Sequence, residues 1–427
     1  MTRRITTEIH TQGAPRHPVL RRLAALFGLG PARGPGRPLD AIVSHCEVND
    51  RHGVGVLLRT LFGAGEDVVA VRSRDDYGGR QEFGARAVRV RHRRGSRGAA
   101  RRRVARALRG VGIRRVLCVP YYPDDVMTAI ALHDARGAPL VTWIMDDQNI
   151  LEPSIPDDLM AELLAKSGVA FAISPELRDA YAEKYRRPVW LAPPLVAADR
   201  VRPPGAEDVP VTGRPMVIGN IWGARWYQDL RRTVRGTGVR LDWSSPAGLA
   251  TFWEGFDRDA LAADGVEAVG ALPEPEFVER LRAAPFVVVP SGTLDEVDDR
   301  PGISRFSLPS RIVFAVAAAH APVIVLGSPK TAAARFVAAH GIGAVVPYDP
   351  EAFRATVAEL TTPEAQRRVR LRASGIAGRF SAEGAVEWLW RSLEAGAPAD
   401  DRFERIAPTI AAPPIVPPRP RDPRPGE

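Results

Sequence analysis

A chain of 427 residues exceeds one small module and, at about 150 residues per domain, has room for two or three. With 45% hydrophobic residues it can bury a core in each, which excludes wholesale disorder, and no window approaches the ~18 apolar residues of a membrane-spanning helix. The net charge of +9 is local: thirteen arginines and no acidic residue lie between Glu82 and Asp124, so the remainder of the chain is negative by four. A patch of this kind attracts phosphates, whether on a nucleotide, an anionic membrane surface or another polyanion. It lacks the interleaved aromatics and the zinc-finger, homeodomain or RNA-recognition patterns of a specific nucleic-acid binder. Two cysteines, Cys46 and Cys118, build no disulfide framework, and that fits a reducing, cytoplasmic compartment.

Residues 1–38 read as a basic leader. Arg21 and Arg22 precede the apolar run 23–29, but that run is too short and too late for a secretion signal. From residue 39 short β-branched runs alternate with helical stretches, the pattern of parallel sheets flanked by helices and hence of the α/β class. Strands are predicted at 41–44, 67–71, 114–119, 139–145, 169–173 and 189–192, closing a first domain over 39–200. After the first strand Gly53 and Gly55 open a helix whose apolar face includes Val54, Leu57, Leu58 and Leu61. Prolines 203, 204 and 210 mark a linker over 201–214. The alternation restarts in a second domain over 215–380, with strands predicted at 216–219, 239–243, 266–269, 286–289, 323–326 and 344–346. A terminal helix over 381–397 carries Trp388 and Trp390, and the proline-rich stretch 398–427 is expected to be a disordered tail.

In an open parallel sheet ligands bind beyond the carboxyl ends of the strands, so two such halves place their chemistry in the cleft between them. On the first half that edge holds His45, Gly53, Gly55, Tyr121, Tyr122 and Asp146. On the second it holds the turns at 219–226, 290–309 and 327–331.

Several segments, in order, resemble the GT-B fold, nucleotide-sugar glycosyltransferases of the family 4 type, over about residues 40–395. Gly53-Val54-Gly55 is similar to the family's glycine turn, and Ile173-Ser174-Pro175 with Tyr181 to its serine-led helix. Gly219-Asn220-Ile221 followed by Arg225-Trp226 resembles its Gly-Arg-Leu and Lys-Gly pair. Val289-Pro290-Ser291, Leu308-Pro309-Ser310-Arg311 and Pro322-Val323-Ile324 resemble its C-terminal core. The resemblance implies two Rossmann-like parallel-sheet domains facing across a cleft, with the C-terminal helix packing back toward the first. It implies transfer of a sugar from a nucleotide-sugar donor, retaining and metal-independent, with no cofactor beyond that substrate. Arg225 would stand in place of the family's diphosphate-binding lysine. The sequence departs from the pattern where the family carries two glutamates seven residues apart, because Ser304 and Phe314 stand nearest those places; Glu296, on an acidic loop, is the candidate substitute.

Ser307 capping a helix that begins with Pro309 and Ser310 would aim free backbone N–H groups at an anion, and Arg225 and Arg311 would add charge-assisted hydrogen bonds. Asn220, Arg225, Glu296, Ser307, Ser310 and Arg311 are therefore the expected donor site, and Gly53 and Gly55 an acceptor or phosphate turn. Asp146 and His45 are the titratable groups best placed for catalysis. The histidines show no metal-ligand spacing, and the Asp257-x-Asp259 pair lies in a helical stretch without other ligands. The acceptor is unidentified. The arginine-rich segment suggests work at the inner membrane face on a lipid-linked acceptor, in a cell-envelope or polysaccharide pathway. The competing readings are a nucleotide-sugar epimerase of the same fold and a non-catalytic relative that binds a membrane or polyanion.

Overall fold

A computed structural model describes residues 37–78, 82–92, 96–205, 211–245 and 256–406. Within them thirteen strands form two sheets, and every strand pairing is parallel. The first sheet contains β1 (Leu39–Ser44), β2 (Val68–Arg72), β3 (Arg86–Arg89), β4 (Ile113–Cys118), β5 (Leu140–Ile144), β6 (Val169–Ala172) and β7 (Trp190–Leu191), in the order β3-β2-β1-β4-β5-β6-β7. The second contains β8 (Met216–Ile218), β9 (Leu241–Ser244), β10 (Val266–Gly270), β11 (Val287–Pro290), β12 (Val323–Leu326) and β13 (Gly343–Val346), in the order β10-β9-β8-β11-β12-β13. Each order reverses once, between β1 and β4 and between β8 and β11, and such a reversal opens the crevice in which doubly wound sheets hold ligands.

The central strands are buried on both faces, as parallel strands must be when helices cover them. Ala41, Ile42 and Val43 of β1 and Val116, Leu117 and Cys118 of β4 are all within the core. The helices between strands begin and end on local signals. Ser174 accepts a hydrogen bond from the Leu177 N–H to start Pro175–Tyr185. The Asp125 carboxylate accepts from the N–H of Tyr121 and Tyr122 to start Pro123–Arg136, which Gly137 ends at φ +63°. Asp257 is likewise an N-cap, accepting from Ala260 N–H, so its D-x-D spacing is explained by a helix start.

The chain crosses between the halves twice. On the way out Val196 pairs with Ser381 in a parallel bridge and takes backbone bonds with Phe380 and Ala382. On the return the helix Ala385–Ala395 packs on the first sheet, with Trp388 5.0 Å from Phe171 ring to ring and Trp390 under the Arg115 guanidinium.

Two expectations need correction, and a third falls outside the described residues. Strand β3 was not expected, because Arg-Ala-Val-Arg at an exposed sheet edge carries no apolar run. Residues 398–406 are not tail: Phe403 and Ile406 are buried, and Glu404 binds Arg178 and the Leu191 N–H. Two apolar anchors and a carboxylate hold this stretch despite the prolines around it. Residues 1–36 of the leader, 206–210 of the linker and 407–427 of the tail lie outside the described residues.

Arg178 is 1% exposed, and its partners are Asp179 and Glu404. Removing one partner of a buried charge leaves the other unsatisfied, so Glu404→Gln is expected to destabilise the protein by about 1–3 kcal/mol in urea unfolding. A change below about 0.5 kcal/mol would show that the 398–406 segment does not contribute to the fold.

Candidate functional site

The carboxyl ends of the two sheets meet. Ser307, just past the helix Pro301–Phe306 of the second half, donates its hydroxyl to Asp146 Oδ1 at 2.5 Å, and Asp146 follows β5 of the first half. Tyr121, following β4, donates its hydroxyl to the other oxygen of the same carboxylate. Ser174 reaches across to the Phe306 carbonyl. Burial raises the Asp146 pKa, while these two hydroxyl donors oppose that rise.

Beside this junction the first half places His45 directly after β1. Its ring lies 4.2 Å from that of Tyr121 and 6.1 Å from that of Tyr122. His45 is buried, its Nδ1 has no hydrogen-bond partner, and burial lowers its pKa to about 3, so the imidazole is neutral near pH 7. His52 is committed to the backbone: Nδ1 accepts from the Gly55 N–H at 3.3 Å and Nε2 donates to the Glu47 carbonyl at 2.6 Å. This cap starts the helix Gly53–Phe62, whose first turn has no acidic residue. Gly55 serves packing, because a Cβ there would collide with the Asn49 backbone. Gly53 faces the cleft, where a Cβ would sit 3.7 Å from Ser310 Oγ.

The second half answers with the helix Ser310–Ala319. Its N-cap position is Pro309, no side chain caps it, and its first turn has no acidic residue. The expectation that Ser307 caps this helix is corrected. Ser307 ends the preceding helix instead, in extended backbone, and spends its hydroxyl on Asp146. Two helix N-termini without acidic residues therefore converge at Gly53 and Ser310, and both direct positive potential into the cleft.

Arg311 reaches under the turn after β8, donating to the carbonyls of Ile218 and Asn220. Gly219 has φ +75° there, and a Cβ on it would meet the Arg311 side chain at 2.7 Å. Among the described residues no carboxylate pairs with this guanidinium, its Nε has no partner, and burial lowers its pKa to about 10. Asn220 is held by the Ser245 hydroxyl at 2.5 Å.

Arg225 sits differently from the expectation that it is free for a ligand. It donates to Asp295 Oδ2 at 3.2 Å and to the Val297 carbonyl, and lies 3.5 Å from Asp229. Its backbone N–H points at the Asp299 carboxylate. The acidic loop thus covers the start of the helix Ala224–Val234. Asp298 fixes that loop by accepting from Trp226 Nε1, Leu294 N–H, Arg300 N–H and the Ser304 hydroxyl. Glu296 is exposed on that loop, and no hydrogen bond or ion pair joins it to Arg225, whose partners there are Asp295 and the Val297 carbonyl. Trp226 is core rather than cleft lining.

Folding also gathers His45, Cys46 and His52, with ligand atoms within 4.8 Å of one another, a grouping that linear spacing does not reveal. Both His52 nitrogens are already bonded, and burial pushes the Cys46 thiol above its ordinary range. The trio therefore does not present three open ligands.

No protein-family model and no curated protein matches the chain. Solved structures do. The chain is similar to the Anabaena HepE protein, solved with UDP and glucose, at 14% identity and TM-score 0.57, covering 84% of this chain and 100% of that one. It is similar to the α,α-trehalose 6-phosphate synthase of Burkholderia multivorans at 13% identity and TM-score 0.55, covering 84% and 97%. A UDP-N-acetylglucosamine 2-epimerase matches at 13% identity and TM-score 0.50, covering 86% and 98%. At these identities the likeness concerns architecture: two Rossmann-like lobes of seven and six parallel strands, which is the GT-B fold.

The buried titratable groups beside the cleft make opposite contributions to acid stability. His45, neutral in the fold at about 3 against 6.5 unfolded, contributes stability that is complete above pH 6.5 and lost as pH falls. Asp125, raised by burial to about 7 from 3.8, contributes stability below pH 4 that is lost as pH rises toward 7. Between pH 7 and pH 5, urea midpoints are expected to drop less in His45→Gln than in the wild type and more in Asp125→Asn. The reverse order would contradict these assignments.

Proposed function

We propose that the chain is a glycosyltransferase that moves a sugar from a nucleotide-sugar donor to an acceptor held in the inter-lobe cleft. The observation that carries this reading is Arg311, a partly buried cation with no carboxylate partner among the described residues, beside the uncapped start of Ser310–Ala319. An uncompensated charge in a partly desolvated position is unfavourable until an anion joins it. A diphosphate has the charge and the oxygens for Arg311, the Ser310 hydroxyl and the free N–H groups of that helix.

In this reading the bond from the sugar anomeric carbon to the diphosphate oxygen breaks while a bond to the acceptor oxygen forms. The negative charge left on the diphosphate is met by Arg311 and the helix N-termini. Retention follows if the leaving phosphate oxygen takes the acceptor proton. Two features support that route: Asp146 is already engaged by two hydroxyl donors, and His45 is a weak base at about 3. Asp146 then acts as the joint that positions the lobes, and His45 lines the sugar pocket. Arg225 would join the diphosphate only after leaving the acidic loop.

The arginine-rich segment supports a membrane-face location for the acceptor. Along the helix Arg97–Ala107, Ala100 and Val104 are buried while Arg101, Arg102 and Arg106 are exposed without ion pairs among the described residues. No helix among the described residues is long and apolar enough to cross a membrane.

A thermal-shift panel of nucleoside diphosphates tests the donor site, since a ligand of the folded state raises the melting temperature. At least one is expected to stabilise the protein, and Arg311→Gln or Ser310→Ala to weaken it, the arginine change by about tenfold or more. No response to any nucleoside diphosphate would refute the reading, and donor turnover without acceptor would identify an epimerase. For the membrane, sedimentation with phosphatidylglycerol vesicles is expected at low salt. It should weaken by about 1 kcal/mol per arginine in the Arg101, Arg102, Arg103 triple alanine variant. Unchanged sedimentation would remove the membrane role.

A further inference from the structure

The first-lobe wall of the cleft keeps a second cation without an ion pair among the described residues. Arg74 lies two residues past β2, anchored by its backbone N–H to the His45 carbonyl at 2.8 Å. Its guanidinium carbon stands 3.6 Å from the centroid of the Tyr122 ring. Among the described residues it has no ion pair: the nearby Asp75 is taken by Arg72 and Arg89, and Asp76, although close enough to feel its charge, does not pair with it. A guanidinium held against an aromatic face keeps its N–H edge available for an oxyanion, and the aromatic contact limits its freedom before any ligand arrives. Next to it stands His45, 8% exposed, with Nδ1 enclosed and unpartnered, between the rings of Tyr121 and Tyr122. The start of the helix Gly53–Phe62 follows the same β1 loop and adds positive potential.

Resting on the glycosyltransferase reading, we infer that the acceptor carries a phosphate group, which Arg74 receives on the Tyr122 platform while His45 meets a hydroxyl of the attached sugar or polyol. A whole charge on Arg74 supplemented by a helix N-terminus suits a dianionic phosphate better than a carboxylate. The aromatic faces suit the C–H side of a ring. This site is separate in sequence and lobe from the Arg311 seat, so donor and acceptor phosphates are read by different arginines.

The test uses the full chain and two sources of a phosphomonoester: soluble glucose 6-phosphate against glucose, and vesicles of phosphatidylinositol 4-phosphate in phosphatidylcholine against phosphatidylinositol in phosphatidylcholine. UDP titration reports the donor side. The wild type is expected to bind one of these probes about tenfold or more tightly than its control without the phosphomonoester. Arg74→Gln should erase that preference and leave UDP affinity within about twofold; Arg74→Lys, which keeps the charge and loses the planar fork, should retain part of it. Arg74-dependent binding of glucose 6-phosphate makes the acceptor soluble, and Arg74-dependent binding of the vesicles makes it lipid-borne. The inference is overturned if neither probe depends on Arg74, or if Arg74→Gln weakens UDP and spares the phosphate probes. Wild-type protein that responds to no nucleoside diphosphate would instead refute the donor reading.

Discussion

The molecule depends on a directional constraint. Because every strand pairing in both sheets is parallel, every strand-to-helix turn in a sheet emerges on the same edge, and the helix that follows begins there with its N–H groups unsatisfied. Setting two such edges against one another concentrates positive potential in one crevice, and the fold has to limit or use it. It limits it in several places with its own carboxylates: Asp125 at the start of Pro123–Arg136, Asp257 at Arg258–Ala263 and Asp349 at Pro350–Leu360. At Gly53 and Ser310 it does not. Ser310–Ala319 has no side-chain cap and Gly53–Phe62 is capped by the His52 ring, so neither start is met by a carboxylate of the chain's own.

The acidic loop shows the same logic from the other direction. The start of Ala224–Val234 is occupied by Asp299, and Arg225 beside it is neutralised by Asp295 and Asp229. Asp298 does not take part in this neutralisation. Its carboxylate accepts four hydrogen bonds and acts as the internal frame of the loop. Ser304 stands where the resembled family has a glutamate, and its hydroxyl belongs to that frame. Of the two departures from the family pattern, Ser304 is thus tied into the hydrogen-bonded loop, whereas Phe314 stacks against Phe277.

Much of this architecture was legible in the chain because buried parallel strands write themselves as continuous β-branched runs. Val141, Trp143 and Ile144, or Val323 to Leu326, leave little room for another assignment. β3 was illegible for the opposite reason: an exposed edge strand has no burial to record. At the site, turns were easier to place than side-chain partners. His45, Asp146 and Ser310 lie at strand or helix ends and fall where alternation puts them. The bond between Ser307 and Asp146, 161 positions apart, is a matter of how two lobes dock, and nothing local encodes it. Arg225 and Arg311 look alike in sequence, yet one is neutralised and the other is not, because that depends on where an acidic loop from another part of the chain comes to rest.

The paired crossing of Val196 and Ser381 has a mechanical consequence. Two covalent connections paired there tie the halves along one line, and sliding or separation of the halves would have to break its backbone bonds. Any relative movement of the halves would also have to give up the Ser307–Asp146 bond, which fastens them at a second, partly buried point.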